Sequence, residues 1–221
     1  MASDLKLKKY ISYTGLLVCK TGMRIGGTES AMGIGSAENP VIKDARGMPY
    51  IPGSSLKGKL RSLLEYKYKR VGENGSPCGC GNDDLDICPV CTIFGPHSNT
   101  PHNLGPTRII VRDAFLSEKS KKEWGESSAS GKEFTETKTE TAIDRRTGRA
   151  MRGSLRTQER VNAGTEFELH INLRVFDDNE EPKLRRYVEE SLEMLGSDYI
   201  GGSGTRGYGW VEIKDLKVAD S

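Results

Sequence analysis

The sequence predicts an α+β domain in which a four-stranded antiparallel sheet carries two helices on one face, and three observations lead there. Residues 167–175 alternate apolar Phe167, Leu169, Ile171, Leu173 and Val175 with polar Glu168, His170, Asn172 and Arg174, the period of a half-buried strand. Two other segments repeat apolar residues at helical spacing: Leu56, Leu60, Leu63, Leu64 and Tyr68 in one, Leu184, Val188, Leu192 and Leu195 in the other. Three further β-rich stretches, at 10–19, 107–115 and 210–218, complete the order β-α-β-β-α-β, which is the ferredoxin-like arrangement.

The first strand, 10–19, is rich in β-branched and aromatic residues, and Cys19 within it reads as a small core residue. Glycines at 22, 26, 27, 33, 35 and 47 then make a loop far longer than a connection needs. Pro52-Gly53-Ser54-Ser55 opens the first helix, with a serine expected to cap its first turn. The other face of that helix holds Lys57, Lys59, Arg61, Lys67, Lys69 and Arg70, either a solvated face or a set of phosphate contacts. After the second strand, residues 117–160 are rich in Lys, Glu, Ser, Thr and Gly and poor in large apolar side chains. Most of this stretch is expected to project as a mobile arm or hairpin. Within it Arg145, Arg146, Arg149, Arg152, Arg156 and Arg160 face one acid beyond residue 144, Glu159, an excess suited to nucleic acid or to an acidic protein. The second helix, 179–196, carries Pro182 in its first turn and stops at Gly196. The last loop, 201–209, has five glycines and Arg206; it is either a flexible turn or a seat whose backbone N–H groups face an anion.

With 221 residues, 35% of them hydrophobic, the chain can fill the core of a single domain spanning 1–221. Its 33 basic and 31 acidic side chains leave a net charge of +2, so a nucleic-acid surface must come from uneven placement. No segment approaches the length of a membrane span and the N-terminus has no apolar run, so a soluble intracellular protein is expected.

Four cysteines, Cys78, Cys80, Cys88 and Cys91, lie within fourteen residues. Thiolates at this density suit Zn²⁺, although the tight Cys-x-Cys pair leaves open that His97 or His102 replaces one of them. Four protein ligands leave no position for water, so the metal is expected to staple an insertion, 74–105, that lacks its own core. Residues 53–59 match the first seven positions of a nucleotide-binding P-loop, but Leu60 stands where Ser or Thr would hold magnesium, which disfavours nucleotide hydrolysis. What remains of that match is a helix N-terminus with nearby lysines, able to bind an anion. Glu29, Glu38 and Asp44 on the first glycine-rich loop could hold a divalent ion or help deprotonate a ribose 2′-hydroxyl. His97, His102 and His170 are too scattered for an acid–base pair.

Several motifs together resemble the RAMP superfamily, and within it the repeated backbone subunit of type III-A CRISPR interference complexes. They are Gly26-Gly27, Gly33-Ile34-Gly35, Asn39-Pro40-Val41-Ile42-Lys43-Asp44, the run from Pro49 to Lys59, Ala142-Ile143-Asp144-Arg145, Gln158-Glu159-Arg160, Ala163-Gly164-Thr165 and the glycine-rich loop 201–209. The match covers nearly the whole chain. The resemblance implies a modified RNA-recognition-motif domain, to which the cysteine cluster adds a zinc-binding insertion at 74–105, and a thumb-like arm at 117–162. It implies a prokaryotic, cytoplasmic complex with no membrane attachment, in which further copies of the chain and other subunits stack along a CRISPR guide RNA. Each thumb would enter between guide and complementary target RNA at regular intervals. The resemblance also implies cleavage of the target, dependent on Mg²⁺ or another divalent ion, leaving a 2′,3′-cyclic phosphate. The family's usual aspartate falls two residues before Pro40, where this chain has Glu38. The extra methylene moves the carboxylate by roughly 1 Å, near the tolerance of in-line attack, so a cleaving subunit and a cleavage-defective scaffold are both open, with Asp44 as second candidate. The RNA contacts expected are Lys57, Lys59 and Arg61 on the first helix, Arg145 and Arg146 on the arm, and Gly202, Gly204 and Arg206 in the last loop.

Overall fold

The computed structural model describes residues 5–26, 40–98, 100–129 and 134–220. In chain order the elements are β1 (Lys9–Cys19), α1 (Gly53–Lys67), α2 (Pro89–Phe94), β2 (Ile109–Val111), α3 (Glu118–Ala129), β3 (Thr135–Glu140), β4 (Arg156–Val161), β5 (Glu166–Val175), α4 (Glu181–Gly196) and β6 (Val211–Asp220). The main sheet runs β2-β5-β1-β6 with every neighbouring pair antiparallel. Counted among these four strands the spatial order is second, third, first, fourth, which is the ferredoxin-like order.

The register explains why one sheet face is core. Ile11 lies opposite Leu173, Tyr13 opposite Ile171 and Leu17 opposite Phe167, and all six are buried. A one-residue slip would turn this set to the other face, so burial itself fixes the pairing. Leu56, Leu60, Leu63 and Leu64 of α1 and Leu184, Val188, Leu192 and Leu195 of α4 complete the core, the same residues whose spacing predicts the helices.

Four details differ from expectation or extend it. Pro52, not a serine, is the N-cap of α1; a carboxylate from beyond β2 takes over, Asp113 Oδ1 accepting from the Gly53 N–H at 2.7 Å. The expected second strand, 107–115, pairs with β5 only over Ile109–Val111; beyond it Ala114 bridges to Ile51 and Leu116 returns to Phe167, so its hydrogen bonds are shared between two neighbours. The stretch 117–160 contains the expected hairpin, β3 paired with β4, but also a helix, α3, that its polar composition hides. Trp124 of α3 meets Phe134 edge-to-face at 4.8 Å, and both pack against the core. Finally, α2 is buried throughout, and Leu85, Val90, Ile93 and Phe94 join the main core, as suits an insertion with none of its own. Among the described residues no helix is long and apolar enough to cross a membrane.

Candidate metal centre and nucleic-acid interface

The four cysteine sulfurs lie within 4.8 Å of one another. Cys78 Sγ is 3.7 Å from the sulfurs of Cys80, Cys88 and Cys91, and Cys80 is 3.7 Å from Cys91. A tetrahedron with metal–sulfur bonds of about 2.3 Å has edges of about 3.8 Å, so the set fits zinc. Neither histidine side chain belongs to this group, and His102 Nδ1 instead accepts from the Leu104 N–H at 3.2 Å. Three thiols are buried and Cys80 is exposed.

Three consecutive residues of β4 gather the rest of the site. Buried Gln158 accepts from Arg24 Nη1 at 3.3 Å and from Ser203 Oγ at 3.5 Å, touching both glycine-rich loops. Glu159 accepts from the Val41 N–H at 2.9 Å, Lys43 Nζ at 2.7 Å and Thr135 Oγ1 at 2.8 Å. Burial alone would raise its pKa, but these hydrogen bonds outweigh burial and hold it below the ordinary value. Arg160 pairs with Glu136 at 2.7 Å and lies 4.8 Å from the Tyr208 ring, which Lys138 approaches from 4.5 Å. Next in the chain, Val161 exchanges backbone hydrogen bonds with Met23. One short strand thus ties the first glycine-rich loop, the second and the base of the hairpin.

The second loop is packed rather than open. Gly201, at φ +84°, accepts no side chain because a Cβ would come within 2.2 Å of Arg24 O, and the Gly202 N–H donates to that same oxygen at 2.9 Å. A Cβ on Gly204 would fall 1.9 Å from Cγ of Tyr199. These glycines permit close approach between loops, and the Gly202 N–H expected to face an anion is already used. A short 3-10 turn, Gly204–Arg206, presents Arg206, half exposed and 3.2 Å from Glu140.

The basic residues separate into two groups. Lys57 is half-buried with no carboxylate partner among the described residues; burial, then Arg61 and Arg174, lower its pKa. Arg145 and Arg146 are exposed in a turn shaped by Asp144 Oδ1, which accepts from the Arg146 N–H at 2.8 Å. Lys59, by contrast, pairs with Asp198 at 3.2 Å and sits 3.9 Å from the centre of the Tyr199 ring. Arg61 is turned inward: it pairs with Glu65 at 2.8 Å and donates to Cys78 O and Gly95 O, so the phosphate contact expected of it is replaced by a structural one. The anion site expected at the start of α1 is taken by Asp113, and Leu60 is core, which removes what remained of the P-loop reading.

Glu38 and Glu29 lie outside the described residues, but the chain beside them is pinned: Gly26 bridges to Val41 and the Ile42 N–H donates to Ile25 O. Asp44 shapes a turn, accepting from the N–H groups of Met48 and Arg46 at 2.9 Å. Burial opposes its ionisation, yet these bonds and the Arg46 side chain hold its pKa low. Sequence reasoning missed Arg24, Glu65, Tyr199 and Tyr208. Only Glu65 left a signal, an acid one turn after Arg61 on an otherwise basic helix.

The profile of the RAMP superfamily matches residues 16–212, which include both glycine-rich loops, the cysteine cluster and the hairpin. The chain belongs to the RAMP superfamily. Relatives of this RAMP protein include the CRISPR system Cms endoribonuclease Csm3 of Methanocaldococcus jannaschii, 39% identical over 97% of this chain and 83% of that protein. The Csm3 endoribonuclease of Streptococcus thermophilus is 36% identical over 94% of this chain and 89% of that protein. A solved chain of the Csm3–Csm4 subcomplex in the type III-A CRISPR-Cas interference complex superposes with a TM-score of 0.62 at 31% identity, covering 98% of this RAMP chain and 82% of its own.

Proposed function

We propose that this chain is the repeated, guide-RNA-binding backbone subunit of a type III-A CRISPR effector complex in a prokaryotic cytoplasm, and that it cleaves the target RNA paired to its guide. The observation that carries the reading is the Gln158–Glu159–Arg160 node, which ties Arg24 and Val41, at the two ends of the segment that carries Glu38, to the second glycine-rich loop and the arginine hairpin. Lys57, Arg145, Arg146 and Arg206 contact phosphates, with Lys59 shaping the surface through Tyr199. Such contacts carry no sequence information, as suits a subunit whose target is chosen by base pairing. The domain comprises residues 1–221, with the metal-bearing insertion at 74–105 and a thumb at 117–162. The four thiols hold structural Zn²⁺. Further copies of the chain and other complex subunits are its partners; the relative solved with Csm4 supports a mixed assembly.

In the cleavage step a target 2′-hydroxyl gives up its proton, the 2′-oxygen attacks the adjacent phosphorus, and the phosphorus–5′-oxygen bond breaks as that oxygen takes a proton. Products are a 2′,3′-cyclic phosphate and a 5′-hydroxyl. Glu38 would assist the deprotonation or would hold a divalent ion such as Mg²⁺, whose chemistry there would be to stabilise charge on the phosphate. The replacement of the usual aspartate by Glu38 favours a second reading, a scaffold that binds but does not cut. Incubating the assembled complex with complementary RNA and Mg²⁺ separates them: evenly spaced products, lost in Glu38→Ala, support the first, and intact target supports the second.

A further inference from the structure

The metal centre and the helix assigned to RNA meet at one buried ion pair. Arg61 and Glu65 lie one turn apart on α1, with side chains 15% and 6% exposed. Together they take hold of both arms of the metal loop. Glu65 Oε1 accepts from the Cys78 N–H at 2.8 Å, while Arg61 donates to Cys78 O and, at 2.8 Å, to Gly95 O. Cys78 is the first thiol ligand, and Gly95 caps the helix that bears the last, Cys91. The pair therefore sets the orientation of the first ligand's peptide and the separation of the loop's ends. The same helix reaches the other way. Lys57 precedes Arg61 by one turn, and Lys59 grips Asp198 and Tyr199, whose ring lies against Gly204 of the second glycine-rich loop.

We propose that metal occupancy of the four-cysteine centre and RNA binding are thermodynamically coupled, with Arg61 and Glu65 as positioning residues that carry the coupling along α1. The inference rests on the RNA-binding reading above. Without the metal, Cys78 and Gly95 lose their fixed separation, and a desolvated ion pair inside α1 must find other partners, which shifts the helix bearing Lys57 and Lys59. Linkage makes the effect reciprocal: the factor by which metal tightens RNA is the factor by which RNA tightens metal.

The test titrates the zinc-loaded full-length protein with a chromophoric chelator, alone and with saturating fluorescent mixed-sequence single-stranded RNA. Anisotropy measures RNA affinity with and without zinc, and circular dichroism on the same samples reports folding. Chelation of still-folded protein is expected to weaken RNA binding about fivefold or more, with RNA protecting the zinc by the same factor. Glu65→Ala is expected to weaken zinc binding by about 10–100-fold. Glu65→Gln, which still accepts from the Cys78 N–H, restores most of it. Equal extraction of zinc with and without bound RNA overturns the coupling while leaving the RNA-binding reading intact. Failure of the zinc-loaded protein to bind RNA overturns both, and the anisotropy alone tells these cases apart.

Discussion

Around the cysteine-bearing insertion the arginines point inward: Arg61 holds the carbonyls of Cys78 and Gly95, and Arg108, 6% exposed, holds those of Leu104 and Pro106 together with Glu180. In the hairpin, Arg145, Arg146, Arg149 and Arg152 are exposed and have no carboxylate partner among the described residues. Both segments interrupt the same ferredoxin-like frame. A desolvated, fully bonded arginine contributes to the fold and is costly to disturb, whereas a solvated cluster of like charges is held against its own repulsion and is available to a polyanion.

The strongest way to break this contrast is to attack each segment in turn. Cys88→Ser removes a fully buried thiol from the metal set and is expected to lower Tm by more than about 10 °C, given what structural zinc contributes to small folds. Arg145→Ala with Arg146→Ala is expected to leave Tm within about 2 °C, since neither side chain is committed. Calorimetry on the two variants decides; comparable losses would mean that the hairpin turn is part of the cooperative fold.

Gly204→Ala tests the ground between the segments. The new methyl would collide with the Tyr199 ring, which supports Lys59 on one side, while Arg206 two residues on pairs with hairpin Glu140. Overpacking of this kind costs about 2 kcal/mol, or about 4–8 °C in Tm. Amide exchange would show whether the strain passes to α1 or to β3 and β4; the Tyr199 contact predicts α1.

These contrasts explain what was legible in the sequence. The frame was: the period-two pattern of β5 and the apolar spacings of α1 and α4 are consequences of one-sided burial, and all of these apolar residues are buried except Tyr68, which caps α1 and is only partly buried. The cysteine cluster was legible because metal ligation demands particular atoms close together. The fate of each basic residue was not. Lys57, Lys59 and Arg61 look alike on a helical wheel, yet one is unpaired, one grips Asp198 and one is turned against the cysteine loop, because the groups that tell them apart, Asp198 and the carbonyls of Cys78 and Gly95, come from outside the helix. The helix α3 was hidden for a related reason: its few anchors, Trp124 among them, find a partner, Phe134, only beyond the helix's end.

For the hairpin arginines the consequence is read in salt rather than in Tm. If both contact phosphates of single-stranded RNA, replacing Arg145 and Arg146 with alanine lowers the slope of log affinity against log salt by about 1.4. Affinity falls alike for unrelated sequences. The equivalent change at Arg61, to methionine, is expected to lower Tm far more than it lowers that slope. A slope unchanged by the hairpin substitutions would leave the exposed arginines to a protein partner.

The smallest effect lies where the hairpin behaves like the insertion. Glu159, at the hairpin's base, has its bonds directed inward to the Val41 N–H, Lys43 and Thr135. Its folded pKa is depressed below the ordinary 4.5 despite burial, so the unfolded chain binds its proton more readily. Its contribution to stability is therefore fully present above that ordinary value and disappears as pH falls through the depressed one. Glu159→Gln, which cannot form the charged pair with Lys43, is expected to melt a few degrees below the parent near neutral pH, with the gap closing in acid. A gap of the same size at about pH 7 and about pH 3.5 would show that shape rather than charge joins the first glycine-rich loop to β4.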